Sequence, residues 1–206
     1  FKEGETKRDR FYSEGEIREL WNQFESVSEP SQSVLKILLI CGQRKNETMK
    51  MRWSDIRSNI WTIPSNLAKN KQPHDIPLPP LSLEILTKMR SLNSDSIYVF
   101  DSNRRDNKPL ESLSRITTEI KKTSSIKDFR LHDLRRTVAT YMAKDGVDRT
   151  VLGKILNHKS LAGDGQVTAI YDRHSYMKEK SKALMMSLIK PATEIIDRIQ
   201  DWTTKL

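Results

Sequence analysis

His132 and Arg135 stand three residues apart in "LHDLRRT" (131–137), a spacing that brings two side chains onto one face of a helix. At about 100° per residue, both lie on or beside an apolar stripe that comprises Leu131, Leu134, Val138, Tyr141 and Met142. On such a face an imidazole and a guanidinium can contact the same oxyanion. Because a buried guanidinium needs an anionic partner, we expect Arg135 to face either a carboxylate of this chain or a phosphate of a ligand.

Arg44 and Lys69 are two further cations in positions that suit an anion site. Arg44 follows Gly42, which ends a predicted helix, and Glu47 is placed to hold it. Two interpretations of Arg44 stay open from spacing alone, since it can cap a helix end or supply the second contact to a phosphate. Lys69 lies in the connection between two predicted strands, where a flexible ammonium group can reach into a cleft or remain in solvent.

The other reactive side chains favour chemistry without a metal ion. The four histidines, at positions 74, 132, 158 and 174, form no HExxH pattern, and Cys41 is the only cysteine. A thiolate zinc cluster and a disulfide within this chain are therefore excluded, and a catalytic metal site is not expected. Tyr171 follows His158 after a glycine-containing loop, and its spacing alone is equally typical of a core tyrosine.

The composition favours a polyanionic partner. Thirty-six Lys and Arg residues against 27 Asp and Glu residues give a formal net charge of +9. Hydrophobic residues make up 36% and charged residues 31% of the chain, as in globular proteins. No apolar run approaches the ~20 residues of a membrane span. We therefore expect a cytoplasmic protein without a membrane partner, and nucleic acid suits its charge.

A mainly helical α+β domain must position these side chains. The predicted helices are an opening helix with a capping box of Ser13 and Glu16, segments 33–42, 81–92, 110–122, 129–146 and 148–158, and two C-terminal segments that Pro191 separates. Short strands are predicted at 60–64, 74–79 and 98–100. The expected fold is one α-rich domain with a small three-stranded β-sheet.

Five segments occur in an order that resembles the signature boxes of the tyrosine recombinase family, the phage and integrative-element integrases. They are "GQRKNE", "AKNKQPHDIPLP", "LHDLRRT", "LGKILNH" and "TAIYDRHSY", which span residues 42–176. The hairpin segment and the "YDRHSY" segment are most similar to those of prophage and genomic-island integrases. The resemblance implies the catalytic fold of that family and a reaction that cleaves and rejoins DNA strands.

The resemblance implies a phosphate-binding role for four side chains. Arg44 and Arg135 match the two arginines that stabilise charge on the non-bridging oxygens of the phosphate. Lys69 matches the hairpin lysine that protonates the leaving 5′ oxygen, and His158 matches the third-box histidine that hydrogen-bonds the phosphate. The anion that the resemblance implies for Arg135 is therefore a DNA phosphate.

The same resemblance identifies Tyr171 as the nucleophile, with His132 or a water molecule as the acceptor of its proton. The implied product is a 3′-phosphotyrosine with a free 5′ hydroxyl, and the reaction uses no cofactor, metal ion or ATP. The interval between His158 and Tyr171 is a few residues longer than usual, which makes Tyr176 a rival nucleophile. The "VTxxY" pattern favours Tyr171, whereas Tyr176 falls where a following helix should begin.

The resemblance also predicts which part of a recombinase this chain represents. Relatives carry N-terminal domains that bind the core site and, in some, arm sites, and we expect no counterpart of these within residues 1–206. Residues 1–206 are therefore expected to form the catalytic domain. Within it, the pattern of residues 191–206 predicts a helix with an apolar stripe of Ile195, Ile196, Ile199 and Trp202. This helix can dock on its own domain or pass to a neighbouring subunit.

The implied partners are double-stranded DNA attachment sites, in the integration or excision of a mobile element. A homotetramer is expected on paired sites and a monomer for the isolated fragment. Further expectations are accessory DNA-bending proteins from the host or the element, and association with the nucleoid. Two alternatives share the fold: a type IB topoisomerase, which relaxes supercoils, and a DNA-binding regulator that has lost catalysis.

Overall fold

The computed structural model describes residues 8–102, 107–158 and 174–186, so Tyr171 and the predicted helix at 191–206 lie outside its scope. Its helices are α1 (Glu14–Glu25), α2 (Ser31–Cys41), α3 (Lys45–Met49), α4 (Pro80–Leu92), α5 (Ser114–Thr123), α6 (Leu131–Lys144), α7 (Arg149–Ile155) and α8 (Met177–Met186). The strands are β1 (Ile56–Arg57), β2 (Ile60–Ile63) and β3 (His74–Pro77). The predicted mainly helical α+β class with a small three-stranded sheet is confirmed.

Helix α2 lies at the centre of the core and packs against α1, α3, α4 and α6. Between Gln32 and Cys41 every residue except Lys36 is buried, as predicted for an almost wholly apolar helix. The predicted capping box of α1 is also confirmed, because Ser13 N donates to the Glu16 carboxylate at 2.9 Å and Glu16 N donates to Ser13 Oγ at 3.3 Å. These contacts satisfy backbone donors that the first turn of a helix leaves open.

The three strands form an antiparallel sheet in the order β1-β2-β3. Strand β2 pairs with β1 through Ile56 and Trp61, and with β3 through Trp61 and Ile76. The turn between β1 and β2 consists of Ser58 and Asn59, whose φ angles of 47° and 62° are both positive. This left-handed backbone matches the twist of a two-residue hairpin, so the turn fixes β1 beside β2.

The prediction of a strand at 98–100 is wrong, and β1 is the third strand of the sheet instead. Tyr98 forms only an isolated bridge with Arg52, and Val99 N donates one further bond to the carbonyl of Met51 at 2.9 Å. Val99 and Phe100 are fully buried, so this short apolar run is a core segment. Apolar runs of this length do not distinguish a strand from another buried segment.

Two predicted helix bounds are also corrected. Helix α5 begins at Ser114 rather than near position 110, because Leu110 N donates to the carbonyl of Phe100 at 2.8 Å and this holds the preceding backbone in an extended pairing. Helix α7 ends at Ile155, three residues earlier than predicted. Its start is as expected, since the Asp148 carboxylate accepts from Thr150 N at 2.7 Å and acts as the N-cap.

Candidate active site

Four of the six predicted catalytic residues line one cleft of about 650 Å³. They come from three elements: Arg44 precedes α3, Lys69 lies between β2 and β3, and His132 and Arg135 lie on the first turns of α6. These positions are far apart in sequence, so only the tertiary fold brings them together. The cleft is open to solvent on one side, as a site for a macromolecular ligand must be.

Arg135 is buried in the floor of this cleft, with 7% of its surface exposed. Its Nη1 donates to the carbonyl oxygen of Gly42 at 2.8 Å, and its Nη2 donates to the carbonyl oxygen of Leu156. Its partners within the described residues are therefore backbone carbonyls, and the carboxylate that was one of two expected partners is not found. Carbonyl oxygens orient a guanidinium without cancelling its charge.

Burial lowers the pKa of Arg135 to about 10, and the nearby charge of Arg44 acts in the same direction. The negative charge of Glu47 opposes this shift. A guanidinium with such a pKa still carries its charge at neutral pH. The floor of the cleft thus holds a fixed positive charge that has been removed from water, which is the condition under which an anionic ligand is bound most strongly.

The end of α7 supplies the acceptors that hold both arginines. Two consecutive carbonyl oxygens contact them: that of Leu156 accepts from Arg135, and that of Asn157 accepts from Arg44 Nη2 at 3.2 Å. The carbonyl before these, that of Ile155, accepts from Gln43 and His74. The last carbonyls of a helix lack partners within the helix and carry partial negative charge. The end of α7 therefore organises the cationic side of the cleft.

Gly42 allows the close approach on which this arrangement depends. Its φ of 64° lies in the left-handed region, and a Cβ atom placed there would lie 2.9 Å from Cγ1 of Val138 on α6. It would also approach Cδ2 of Leu156 to 3.3 Å. Only glycine fits both conditions without strain, and the carbonyl of Gly42 is thereby brought to Arg135.

Glu47 connects Arg44 to the hairpin that carries Lys69. Glu47 is buried, with 2% of its surface exposed. It accepts from Arg44 Nη1 at 3.1 Å and from the backbone N–H of Lys69 at 3.3 Å. The predicted contact between Glu47 and Arg44 is confirmed, and both earlier interpretations of Arg44 hold in part, because its backbone precedes α3 while its guanidinium lines the cleft.

His132 lies at the edge of the cleft on the first turn of α6. Partial burial lowers its pKa, and the charges of Arg136 and Arg135 lower it further. The imidazole is therefore neutral at neutral pH and has a ring nitrogen that can accept a proton. Such a group can act as a general base toward a hydroxyl that enters the cleft.

Of the six predicted catalytic residues, His158 and Tyr171 are not among those that line the described cleft. His158 directly follows Asn157, whose carbonyl holds Arg44, but it is solvent-exposed and does not line the cleft. Tyr171 lies outside the described residues. Tyr176 precedes α8, and its carbonyl accepts from Lys180 N at 2.8 Å, so the prediction that a helix begins there is confirmed.

Sequence reasoning missed four polar residues that position the site. Gln43 and His74 are buried and donate to the carbonyl of Ile155 at 3.0 and 2.9 Å. The side chains of Asn70 and Asn157 form a hydrogen bond that joins the Lys69 hairpin to the end of α7. All four lie within or beside the quoted boxes, but the spacing of residues gives no sign of a contact with a backbone carbonyl.

The part of the chain that the structure describes has neither a metal-binding cluster nor a membrane-spanning helix. Within it, no three His, Cys, Asp or Glu side chains form a group that could hold a metal ion. None of its helices has both the length and the apolar character needed to cross a membrane.

The fold is that of tyrosine recombinase catalytic domains. A crystal structure of XerA recombinase superposes with a TM-score of 0.65 at 23% identity, covering 82% of this chain and 62% of that one. A lambda integrase tetramer bound to a Holliday junction gives a TM-score of 0.59 at 19% identity, covering 84% of this chain and 50% of that one. At these identities the likeness concerns the fold alone.

Sequence comparison identifies the family. The sequence profile of the phage integrase family matches residues 10–179, and the chain belongs to this family. The tyrosine recombinase XerA of Pyrococcus furiosus is 30% identical over 162 residues, which represent 76% of this chain and 56% of the relative. The chain spans about half the length of the curated relatives that it matches.

Proposed function

We propose that this chain is the catalytic domain of a site-specific DNA recombinase that integrates or excises a mobile element. The observation that carries the proposal is the cleft in which Arg44, Lys69, His132 and Arg135 meet. Arg135 is held by backbone carbonyls alone, and Arg44 is held by a carbonyl and the carboxylate of Glu47, so the described cleft keeps a net positive charge for a phosphate. Membership of the phage integrase family supports the same conclusion, and the matched recombinases do not favour a topoisomerase or a silent regulator.

The proposed reaction transfers a phosphoryl group to the enzyme. The phenol oxygen of Tyr171 attacks a backbone phosphorus, the bond to the 5′ oxygen breaks, and a 3′-phosphotyrosine forms. The phenol proton passes to neutral His132 or to water, and Lys69 gives a proton to the leaving 5′ oxygen. A 5′ hydroxyl from a second duplex then reverses the step and joins the exchanged strands, so the energy of the bond is retained.

The arginines stabilise the charge that develops during this transfer. The fork of donors on a guanidinium matches two phosphate oxygens, and Arg44 and Arg135 approach the cleft from different elements. His158 is proposed to add a hydrogen bond to the phosphate from the segment after α7. Because the carbonyls at the end of α7 fix both arginines beforehand, little reorganisation is needed when charge builds up.

The decisive experiment looks for the covalent intermediate. A labelled duplex that contains the element's attachment site is incubated with the protein, and adducts are separated under denaturing conditions. Tyr171→Phe should abolish the adduct and leave DNA binding nearly unchanged, because only the nucleophilic oxygen is lost. Tyr176→Phe is the matched control and should still form it. An adduct in the first variant, or its loss only in the second, would overturn the assignment of Tyr171.

A modified substrate tests Lys69 in the same assay. Lys69→Ala should slow cleavage of ordinary DNA but have much less effect when sulfur replaces the leaving 5′ oxygen, since a thiolate departs without a proton. Equal impairment on both substrates would mean that Lys69 only positions the DNA.

The proposal extends to assembly and location. Double-stranded attachment sites, a homotetramer on paired sites, accessory DNA-bending proteins and association with the nucleoid are its expected partners and setting. A fold shared with a tetrameric integrase on branched DNA supports the assembly. We also propose that residues 191–206 pass to a neighbouring subunit, because their apolar stripe needs a cover and exchange would couple each site to assembly.

A further inference from the structure

Besides Lys45, two cations of the cleft have no role in the proposed chemistry. Lys121, in the last turn of α5, and Arg130, the residue before α6, both line it together with the four catalytic candidates. With Lys45, Arg44, Lys69 and Arg135 they make six cations, and among the described residues Glu47 is the only carboxylate of the lining. The described lining therefore has a large excess of positive charge, more than one phosphate requires.

Lys121 and Arg130 also lack a carboxylate partner among the described residues. Neither side chain forms a salt bridge within the described residues, whereas Arg8, Arg10, Arg18, Lys36, Lys88 and Arg136 each contact a carboxylate there. A cation that is already paired gains little from a phosphate, because its partner must first be displaced. The two cleft cations can bind an anion without such a loss.

Both side chains are attached to a firmly held backbone. The Tyr12 hydroxyl, which is fully buried, accepts from Arg130 N at 2.9 Å and donates to Arg130 O at 3.1 Å. The ring of Tyr12 stacks on that of Phe129, with the two centroids 5.8 Å apart. Lys121 follows Ile120, which is 1% exposed. The cations thus extend into the cleft from fixed positions on α5 and before α6.

We infer that Lys121 and Arg130 form a second phosphate subsite, which binds the DNA backbone beside the phosphate that is cleaved. The inference rests on the proposed function and adds to it a named part of the DNA interface. Successive phosphates of a strand are spaced so that a cleft with one catalytic phosphate also meets its neighbours. Contacts of this kind fix the position of the duplex and carry no sequence information.

The test measures how binding depends on salt. Affinity of the complete chain for a mixed-sequence duplex of about 30 base pairs is titrated over a range of KCl concentrations, for wild type, Lys121→Ala, Arg130→Ala and the double variant. Each lost phosphate contact should reduce the slope of log K against log salt by about 0.9. The double variant should lose about twice as much, because each side chain contributes its own phosphate contact to the subsite.

Lys122→Ala is the matched control, because it removes the same charge one residue away, from a position that does not line the cleft. It should leave the slope nearly unchanged, and thermal unfolding verifies that each variant is folded. A second duplex of unrelated sequence should show the same losses. An unchanged slope for Lys121→Ala and Arg130→Ala, an equal loss for Lys122→Ala, or a loss on one sequence only would overturn the subsite.

The two proposals fail in different ways. If the subsite variants bind with wild-type slopes while wild type still forms the tyrosine adduct, the subsite is wrong and the recombinase function stands. If the slopes fall as expected but no adduct forms on the attachment site, the DNA interface stands and the catalytic proposal is wrong.

Discussion

The start of α6 separates two groups of arginines that differ in what surrounds their charge. In the first, three guanidinium groups and three carboxylates pair within 3.4 Å, through Arg8, Arg10, Arg136, Asp128, Asp133 and Glu16. In the second, Arg44 contacts the carboxylate of Glu47 and one backbone carbonyl, and Arg135 contacts two backbone carbonyls. The first group is neutral as a whole, and the second is not.

The difference shows how a fold can use one residue type for two purposes. A carboxylate fixes an arginine and also cancels its charge, so the first group joins the N-terminal segment to α6 and has little charge left for a ligand. A carbonyl fixes an arginine but leaves the charge in place. Arg135 and Arg136 are neighbours in sequence, yet they belong to different groups because they point to different sides of α6.

The most direct test of this difference between the two groups replaces Arg135 or Arg136 by lysine. Arg135→Lys keeps a charge but loses the fork of donors, and the rate of adduct formation should fall by about 100- to 1,000-fold, as for the loss of one transition-state donor. Arg136→Lys should leave the rate nearly unchanged. The measurement is the single-turnover rate at saturating DNA, and a comparable loss in both variants would show that pairing does not distinguish the two groups.

The titration of His74 tests whether its hydrogen bond to the carbonyl of Ile155, at the end of α7, persists in solution. Burial lowers its pKa to about 4, with the charge of Lys180 as the next cause, whereas an unfolded histidine titrates near 6.5. Between these values the unfolded chain binds more protons, so the free energy of unfolding should decrease as pH falls from about 6.5 to 4, by about 3 kcal/mol.

The control for this pH dependence is His74→Gln, which keeps an N–H donor for the carbonyl of Ile155 but cannot titrate. Urea unfolding of both proteins across this range gives the difference that belongs to His74. If wild type and the variant lose stability in parallel, then the imidazole is not held neutral and its contact with α7 does not persist in solution.

Replacing Gly42 or Gly146 by alanine should give the smallest of these effects, and the two glycines control for each other. Both have positive φ angles, of 64° and 77°, but a Cβ atom at Gly146 would meet nothing within 4 Å. Gly146→Ala should therefore cost only the left-handed strain, about 1 kcal/mol. Gly42→Ala adds a clash with Val138 and should destabilise the fold by about 2 kcal/mol more. Equal losses in thermal or urea unfolding would mean that the close approach of α2 to α6 is not required.

Local patterns in the sequence were sufficient for most of the helices. The capping box of Ser13 and Glu16 and the apolar stripe of α6 each act within one or two turns, where spacing decides which groups meet. The same argument placed Arg135 on the buried side of α6. The strand at 98–100 failed for the opposite reason, because whether Val99 pairs in a sheet depends on a distant segment.

Ser58 and Asn59 are a sequence signal for the hairpin turn that joins β1 to β2, and therefore for β1. Asparagine tolerates positive φ, and two such residues between apolar segments are typical of a two-residue hairpin. By contrast, nothing in the spacing of residues indicates that Gln43 and His74 hold the carbonyl of Ile155. These contacts join segments that are more than 80 residues apart.

The sequence by itself determined which side chains are available for chemistry, in what order they occur, and that Arg135 is buried. Only the tertiary structure decided what holds that arginine, namely the carbonyls of Gly42 and Leu156 rather than a carboxylate. The physical reason is that every residue carries a backbone carbonyl, so such an acceptor has no signature in sequence. Which carbonyls face a guanidinium depends on where helices end and pack, and here the ends of α2 and α7 supply them.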